Sequence, residues 1–256
     1  RKGEIVDLQN PSLCVRAALG IAEETGKVTV HCVHLAVSGG HIQAITNSGE
    51  VPVIDPAGHI AREDVDAVME VAQAVNLPPD REMLHTLCRR FRIDNQEDVI
   101  DPEGMMGAKL ALNMLLIHGV RARLYNVINV VKSVPVDVAD VAFSGLCSAM
   151  AVLTAEQRRS GAIVVDLGGG TTDYIAYADD VVAAAGAFGI GGDHVTNDVA
   201  LAFKIPTTQA ERLKRESGSA VLDPAGNSAG HVELPAEGGF QGRRVSLKSL
   251  HTVIHA

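Results

Sequence analysis

At 256 residues the chain is long enough for one large domain or two ordinary ones, and 46% hydrophobic with 21% charged residues suits a packed core rather than disorder. A net charge of −9 weighs against a nucleic-acid partner, which wants a basic face, and 3% aromatic residues with no Trp argue against base-stacking platforms. No apolar run reaches the length of a membrane span and no signal peptide is visible, while four scattered cysteines (Cys14, Cys32, Cys88, Cys147) form no Cys-x-x-Cys pair and point to free thiols in a reducing, cytosolic setting.

In chain order, "PSLCVRAALGIAEETG" predicts a helix closed by Gly26, and "KVTVHCVHLAVSG" predicts a strand. Val65, Val68, Met69, Ala72 and Val75 form one stripe along "REDVDAVMEVAQAVN", an amphipathic helix ended by "LPPD". Alternation of Leu110, Leu112, Met114 and Leu116 makes "AKLALNMLLIH" a strand, and "RARLYNVINVVKSV" follows as a helix. "DVADVAFSG" reads as a strand and "CSAMAVLTAEQRRSG" as one helix ending at Gly161. Three strands in succession follow, "AIVVD", "YIAYA" and "VVAAAGAFGI", then two helices, "GDHVTNDVALAF" and "TTQAERLKRES". Beyond Gly218, "DPAGNSAG" and "PAEGGFQG" read as loops around a short strand, "HVEL". Leu247, Leu250 and Ile254 then fall at helical spacing. The alternation is that of an α/β protein. A start at Arg1 without Met and a helix cut short at Ala256 lead us to expect a piece of a longer protein.

The chemistry concentrates in "VVDLGGGTTDYIAYADDVV". A Walker A loop needs Gly-Lys-Ser/Thr opening a helix, and a dinucleotide fingerprint also needs a helix after its glycines. Here a β-rich run follows, so Gly168, Gly169 and Gly170 are placed at the tip of a hairpin. Glycines there leave backbone N–H groups clear to point at one anion. Asp166 ends the first strand and suits a Mg²⁺ ion held through water, which in turn bridges phosphate oxygens. Thr171 and Thr172 add hydroxyl donors. The plainer alternative is a tight turn with Asp as its initiator, although a two-residue Asp-Gly turn does that job with less lost entropy.

The stretch resembles the second phosphate-binding motif of the actin/Hsp70/sugar-kinase superfamily. In that superfamily, two further pieces lie where this chain has "GIGGDHVTND" and "TTQAERLKRESGSA". Gly191 and Gly192 leave a helix N-terminus open for phosphate or ribose, or simply start an ordinary helix. Glu211 and Lys214 share a helix face; the resemblance implies contact with adenosine, and spacing alone implies a solvated ion pair. Within the superfamily, "VHLAVSGGHIQAITNSGEVPV", "DPEGMMGAKLALNMLLIHG", "SGLCSAMAVLTAEQRRSGAIVVDLGGGTTD" and "GIGGDHVTNDVALAFKIPTTQAERLKRESGSAV" resemble the FtsA family of bacterial cell-division proteins, most densely over residues 138–222.

The resemblance implies an actin-like (ribonuclease H-like) α/β fold with the FtsA-type insert subdomain. It divides the chain into 1–31 and 106–137 as large subdomain 1A, 32–105 as insert 1C, 138–200 as large subdomain 2A, and 201–256 as part of small subdomain 2B. It further implies that both family ends are missing, with an N-terminal phosphate loop and a C-terminal membrane helix absent from this chain. ATP with Mg²⁺, self-association into filaments, and FtsZ tethered to the inner membrane at the division site are the implied ligand, assembly and task. Arg243, Arg244 and Lys248 are the implied contacts for the FtsZ C-terminal peptide, or else a solvated basic surface. The family's usual Leu-Ala-Glu-x-Ile-Glu-Pro is not kept: Thr252 stands at its first Glu position, and His255 and Ala256 stand at its Glu-Pro. Related actin-like superfamily members imply two rivals, a PilM-like assembly scaffold and an active ATPase or sugar kinase.

Hydrolysis needs a residue that orients or deprotonates water. The superfamily's Glu or Gln position is taken by Leu146, which does neither, and Asp166 and Asp173 are the remaining candidates. At most a weak ATPase is expected. His31 and His34, three apart in a strand, point to opposite faces, which disfavours a metal site. Asp193 is expected to cap the next helix with His194 a bystander, and Cys147 to be a buried small hydrophobe.

Overall fold

The structure is a computed structural model and describes residues 4–222, 230–234, 236 and 242–256. The loops expected at "DPAGNSAG" and "PAEGGFQG" lie largely outside the described residues. Two compact units emerge. The first runs up to Asp166 and resumes over Thr171–Gly189; the second comprises Leu167–Gly170 and Ile190–Ala256.

In the first unit, α1 (Gln9–Gly26) leads to β1 (Cys32–Val37). The left-handed residue that closes α1 is Lys27, at φ 52°, one position beyond the predicted stop. The strand β1 pairs in parallel with β6 (Asp137–Phe143), Val37 opposite Phe143. It therefore does not open the insert, as the boundary at 32 supposed.

Between those partners lies an antiparallel sheet in the order β2-β5-β3-β4, built from β2 (Gln43–Pro52), β3 (Arg81–Ile93), β4 (Gln96–Val99) and β5 (Lys109–Val120). The expected return to the body at 106 also shifts, because β5 is an inner strand of this sheet, flanked by β2 and β3. Its two faces serve two cores, which is why Leu115 and Ile117 are apolar as well as the alternating Leu110, Leu112, Met114 and Leu116. Leu110, Leu112, Met114 and Leu116 pack in one cluster with Val65, Val68 and Ala72 of α2 (Arg62–Gln73). Leu115 and Ile117 join the other cluster, with Val37, Phe143 and Ile175. Gly49 lets α2 approach: a Cβ there would stand 2.6 Å from the Ala72 nitrogen.

After α3 (Arg121–Lys132) and β6, the single predicted helix over 147–161 is two, α4 (Ser144–Val152) and α5 (Ala155–Ser160). The reason is local. Thr154 turns extended (φ −75°, ψ 161°), accepts from the Gln157 backbone N–H, and its own N–H is bound by the Gln157 side chain. That reciprocal capping box starts a new helix. The strands β7 (Ala162–Leu167), β8 (Thr172–Ala178) and β9 (Val181–Phe188) then form the expected up-and-down sheet.

In the second unit, α6 (Gly192–Phe203), α7 (Thr207–Ser217), the hairpin of β10 (His231–Leu234) with β11 (Arg243–Ser246), and α8 (Leu247–His255) enclose a core of Val199, Ile205, Ala210, Leu213, Leu234, Val245 and Leu250. The division expected at 200/201 is not where the units part. The strands of 138–188 cluster with the first unit, and α6 clusters with the second.

Candidate functional site

The three glycines occupy the turn between β7 and β8, as the sequence predicts. Within the second unit they meet the start of α6. The N–H of Gly192 donates to the Gly168 carbonyl at 3.0 Å, and that of Asp193 to the Gly169 carbonyl at 2.7 Å. The N–H of Gly191 donates to Nδ1 of His194 at 3.1 Å. The first donors of α6 are thus taken inside the chain, which corrects the expectation that Gly191 and Gly192 leave them open. His194, not Asp193, reaches back to the cap.

The reason for glycine at 191 is steric. A Cβ there would stand 2.5 Å from the Gly168 oxygen and 2.6 Å from the Gly169 oxygen. The backbone itself is extended at φ −163°, so space and not strain excludes other residues. Among the described residues no peptide bond is cis. In a planar trans peptide the C=O and the following N–H point opposite ways. With the carbonyls of 168 and 169 aimed at α6, the amides of Gly169 and Gly170 face away from it, side by side.

The pair Glu211 and Lys214 lies against the same helix start. Lys214 Nζ contacts the Gly192 carbonyl at 3.0 Å, Thr196 Oγ1 at 2.7 Å and the Glu211 carboxylate at 2.6 Å. An ammonium has three protons, and all three have acceptors here. Lys214 therefore ties α7 to α6, and the Glu211 side chain, 41% exposed, is the more available group. The Lys214 ammonium first, and then the Thr196 hydroxyl, hold the Glu211 carboxyl below its ordinary range. This is a braced cluster around buried Thr196 rather than a freely solvated ion pair.

In the first unit, Asp166 accepts from Ser148 Oγ of α4 at 2.8 Å. A carboxylate has about four lone-pair sites, so one hydrogen bond leaves it able to face a cation. Asp173 is 4% exposed. One of its oxygens accepts from Ser38 Oγ at 2.6 Å and the other from Ser144 Oγ. Ser38 Oγ also lies 3.0 Å from Thr171 Oγ1. Thr172 opens β8 two residues beyond the triple glycine. Leu146 packs against the apolar core, and Cys147 is only partly buried.

A Mg²⁺ ion suits this donor set. It keeps several waters and is held by one or two carboxylates together with substrate phosphates, which a single Asp166 satisfies. Among the described residues no group of three or more His, Cys, Asp or Glu forms a self-sufficient metal cage.

Arg243 and Arg244 lie exposed on β11 and Lys248 is exposed on α8. Arg244 faces Glu233 across the hairpin at 3.6 Å. Of the departing residues, Thr252 caps its own helix turn on the Lys248 carbonyl and His255 reaches the Ala220 carbonyl. Ser38, Ser144, Ser148 and Thr196 were not read from the sequence. For the first two a signal existed: "AVSGG" and "AFSGL" repeat an apolar-Ser-Gly ending on the two strands that pair in parallel.

These features define a class. The parallel β1–β6 pair, the strand–glycine-turn–strand element that follows it and a separate sheet-and-helix insert make up an actin-like fold. The PilM–PilN type IV pilus biogenesis complex shares that fold with a TM-score of 0.54 at 17% identity, over 84% of this chain and 58% of that one. The family model for the SHS2 domain inserted in FtsA matches residues 39–118, and that for cell division protein FtsA matches residues 163–251. Cell division protein FtsA of Pseudomonas aeruginosa is 31% identical over 99% of this chain, and that of Escherichia coli K12 is 32% identical over 99%. The Bacillus subtilis protein is 28% identical over 88%. The chain belongs to the FtsA family. It spans 60% of the length of the first two relatives.

Proposed function

We propose that this chain is the nucleotide-binding portion of an actin-like scaffold of the bacterial divisome. It binds ATP with Mg²⁺ through Asp166, Gly168, Gly169, Gly170, Thr171 and Thr172, aided by Gly191, Gly192, Glu211 and Lys214. The observation that carries this reading is the pair of neighbouring amides at Gly169 and Gly170, turned away from α6 by the bonds that the preceding carbonyls of Gly168 and Gly169 accept. Two adjacent N–H groups without side chains suit one phosphate. Magnesium supplies charge neutralisation of phosphate oxygens, and Asp166 is the residue that holds it. Gly191 and Gly192 act by packing the turn rather than by donating to the ligand.

In the whole protein, the same reading has the scaffold self-associate and tether FtsZ filaments to the cytoplasmic face of the inner membrane at the division site. Arg243, Arg244 and Lys248 meet the FtsZ C-terminal peptide. Among the described residues no helix is long and apolar enough to cross a membrane; attachment belongs to the whole protein in this reading. Leu146 offers no proton acceptor, so nucleotide acts as a conformational ligand with slow hydrolysis at most. The PilM-like alternative shares the fold; the two FtsA family matches favour division.

Calorimetric titration of the chain with ATP and magnesium tests the nucleotide reading. Saturable binding is expected, weakened about tenfold by D166N, the size of one lost charge-assisted contact. No heat of binding at millimolar ATP overturns it. A parallel titration with an FtsZ C-terminal peptide separates the division reading from the pilus one.

A further inference from the structure

The hydroxyls around Asp173 carry an ordering of protons with a chemical consequence. Ser38 and Ser144 occupy equivalent places, each directly after a residue of the Val37–Phe143 pair that ends β1 and β6. Both point at Asp173, one to each carboxylate oxygen. The carboxylate is buried, so it depends on these donors for its solvation.

Ser38 has a single hydroxyl proton and two oxygen neighbours, Asp173 at 2.6 Å and Thr171 at 3.0 Å. The charged, nearer acceptor takes it. The contact between Ser38 and Thr171 is then made by the Thr171 proton, donated to Ser38 Oγ. Thr171 is left with free oxygen lone pairs and no proton to offer.

We propose that this relay, Thr171 to Ser38 to Asp173, fixes Thr171 as an acceptor, so that its oxygen meets a hydrated cation and not a phosphate oxygen. This deepens the nucleotide reading and rests on it. It reverses the donor role expected of Thr171, and it makes Asp173 and Ser38 positioning residues rather than a base and its helper. Asp173 already accepts two hydroxyls and is buried, which leaves it poorly placed to take a proton from water.

The test compares S38A with S144A. Each removes one hydroxyl from Asp173, but only S38A releases the Thr171 proton. ATP affinity is measured by calorimetry with magnesium and with excess chelator, and the ratio of the two is the readout. In S38A the Thr171 proton becomes free to donate to phosphate, so the ratio falls severalfold. In S144A it stays at the wild-type value, and S38T, which keeps the hydroxyl, restores it. An unchanged ratio in S38A, or an equal fall in S144A, overturns the relay. Thermal midpoints of all variants separate loss of folding from loss of the relay. If the wild type binds no nucleotide, the functional reading fails, and the relay is judged by the Thr171 methyl resonance. A shift in S38A without one in S144A retains the relay, and no shift in S38A ends it.

Discussion

At the scale of single residues, the glycines of this site do different jobs. Gly169 and Gly170 present amides, whereas Gly191 makes room for two carbonyl oxygens. A methyl group at 191 would stand 2.5 Å from one and 2.6 Å from the other, and both are backbone atoms that cannot rotate away. The turn must shift, at a cost of about 1–3 kcal/mol, typical of overpacking. G191A is therefore expected to lower the thermal midpoint and to weaken ATP binding, because the shifted carbonyls no longer aim the amides of 169 and 170. A variant with normal stability and normal affinity, measured by scanning fluorimetry and calorimetry, contradicts this account. Sequence reading located the glycines but reversed the role of Gly191 and Gly192. A run of glycines states that side chains are excluded; it does not state whether a ligand or another backbone fills the space.

At the scale of elements, amphipathic stripes such as Val65, Val68 and Ala72 were legible, because one face of α2 meets one core. β2, β3, β4 and β11 were missed. Most of β3 is half-buried and most of β4 exposed, and period-two alternation fades where β3 carries Arg89, Arg90 and Arg92. The break between α4 and α5 was legible in principle, since Thr154 and Gln157 stand at capping-box spacing. T154A removes that cap and is expected to cost about 1 kcal/mol. Chemical denaturation would read this as a lower midpoint at unchanged slope. A cost near zero would mean the break is imposed by packing and not by the cap.

At the scale of the whole molecule, the insert is joined to its unit by a clasp of neutral histidines. Arg81, at the start of β3, donates to the His41 carbonyl at 2.7 Å and to His118 Nδ1 at 2.6 Å. His41 Nδ1 in turn accepts from the Val120 N–H at 3.2 Å. His41 and His118 therefore hold together the entry and exit of the insert, and both act as acceptors. Burial first, and then the cations Arg123 and Arg81 against the weaker pull of Glu4, press the His41 pKa down to about 4; burial and Arg81 lower that of His118. A histidine depressed in the fold binds its proton more readily once unfolded. Stability is accordingly full above the unfolded value near 6.5 and is lost as pH falls towards about 4, by up to about 3 kcal/mol for His41 alone. The thermal midpoint is expected to drop between about pH 7 and pH 5. A flat profile across that range would show the clasp to be absent.

The sequence by itself determined the α/β class, the hairpin of glycines between strands, and the FtsA resemblance, because these depend on local backbone preference and on residues adjacent in the chain. Only the tertiary structure decided that β1 pairs with β6, that β5 serves two cores, and that Ser38, Ser144 and Asp173 converge. Those facts depend on which distant strands lie side by side, and a buried hydroxyl or carboxylate acquires its chemical role only from the partner that packing brings within hydrogen-bond reach.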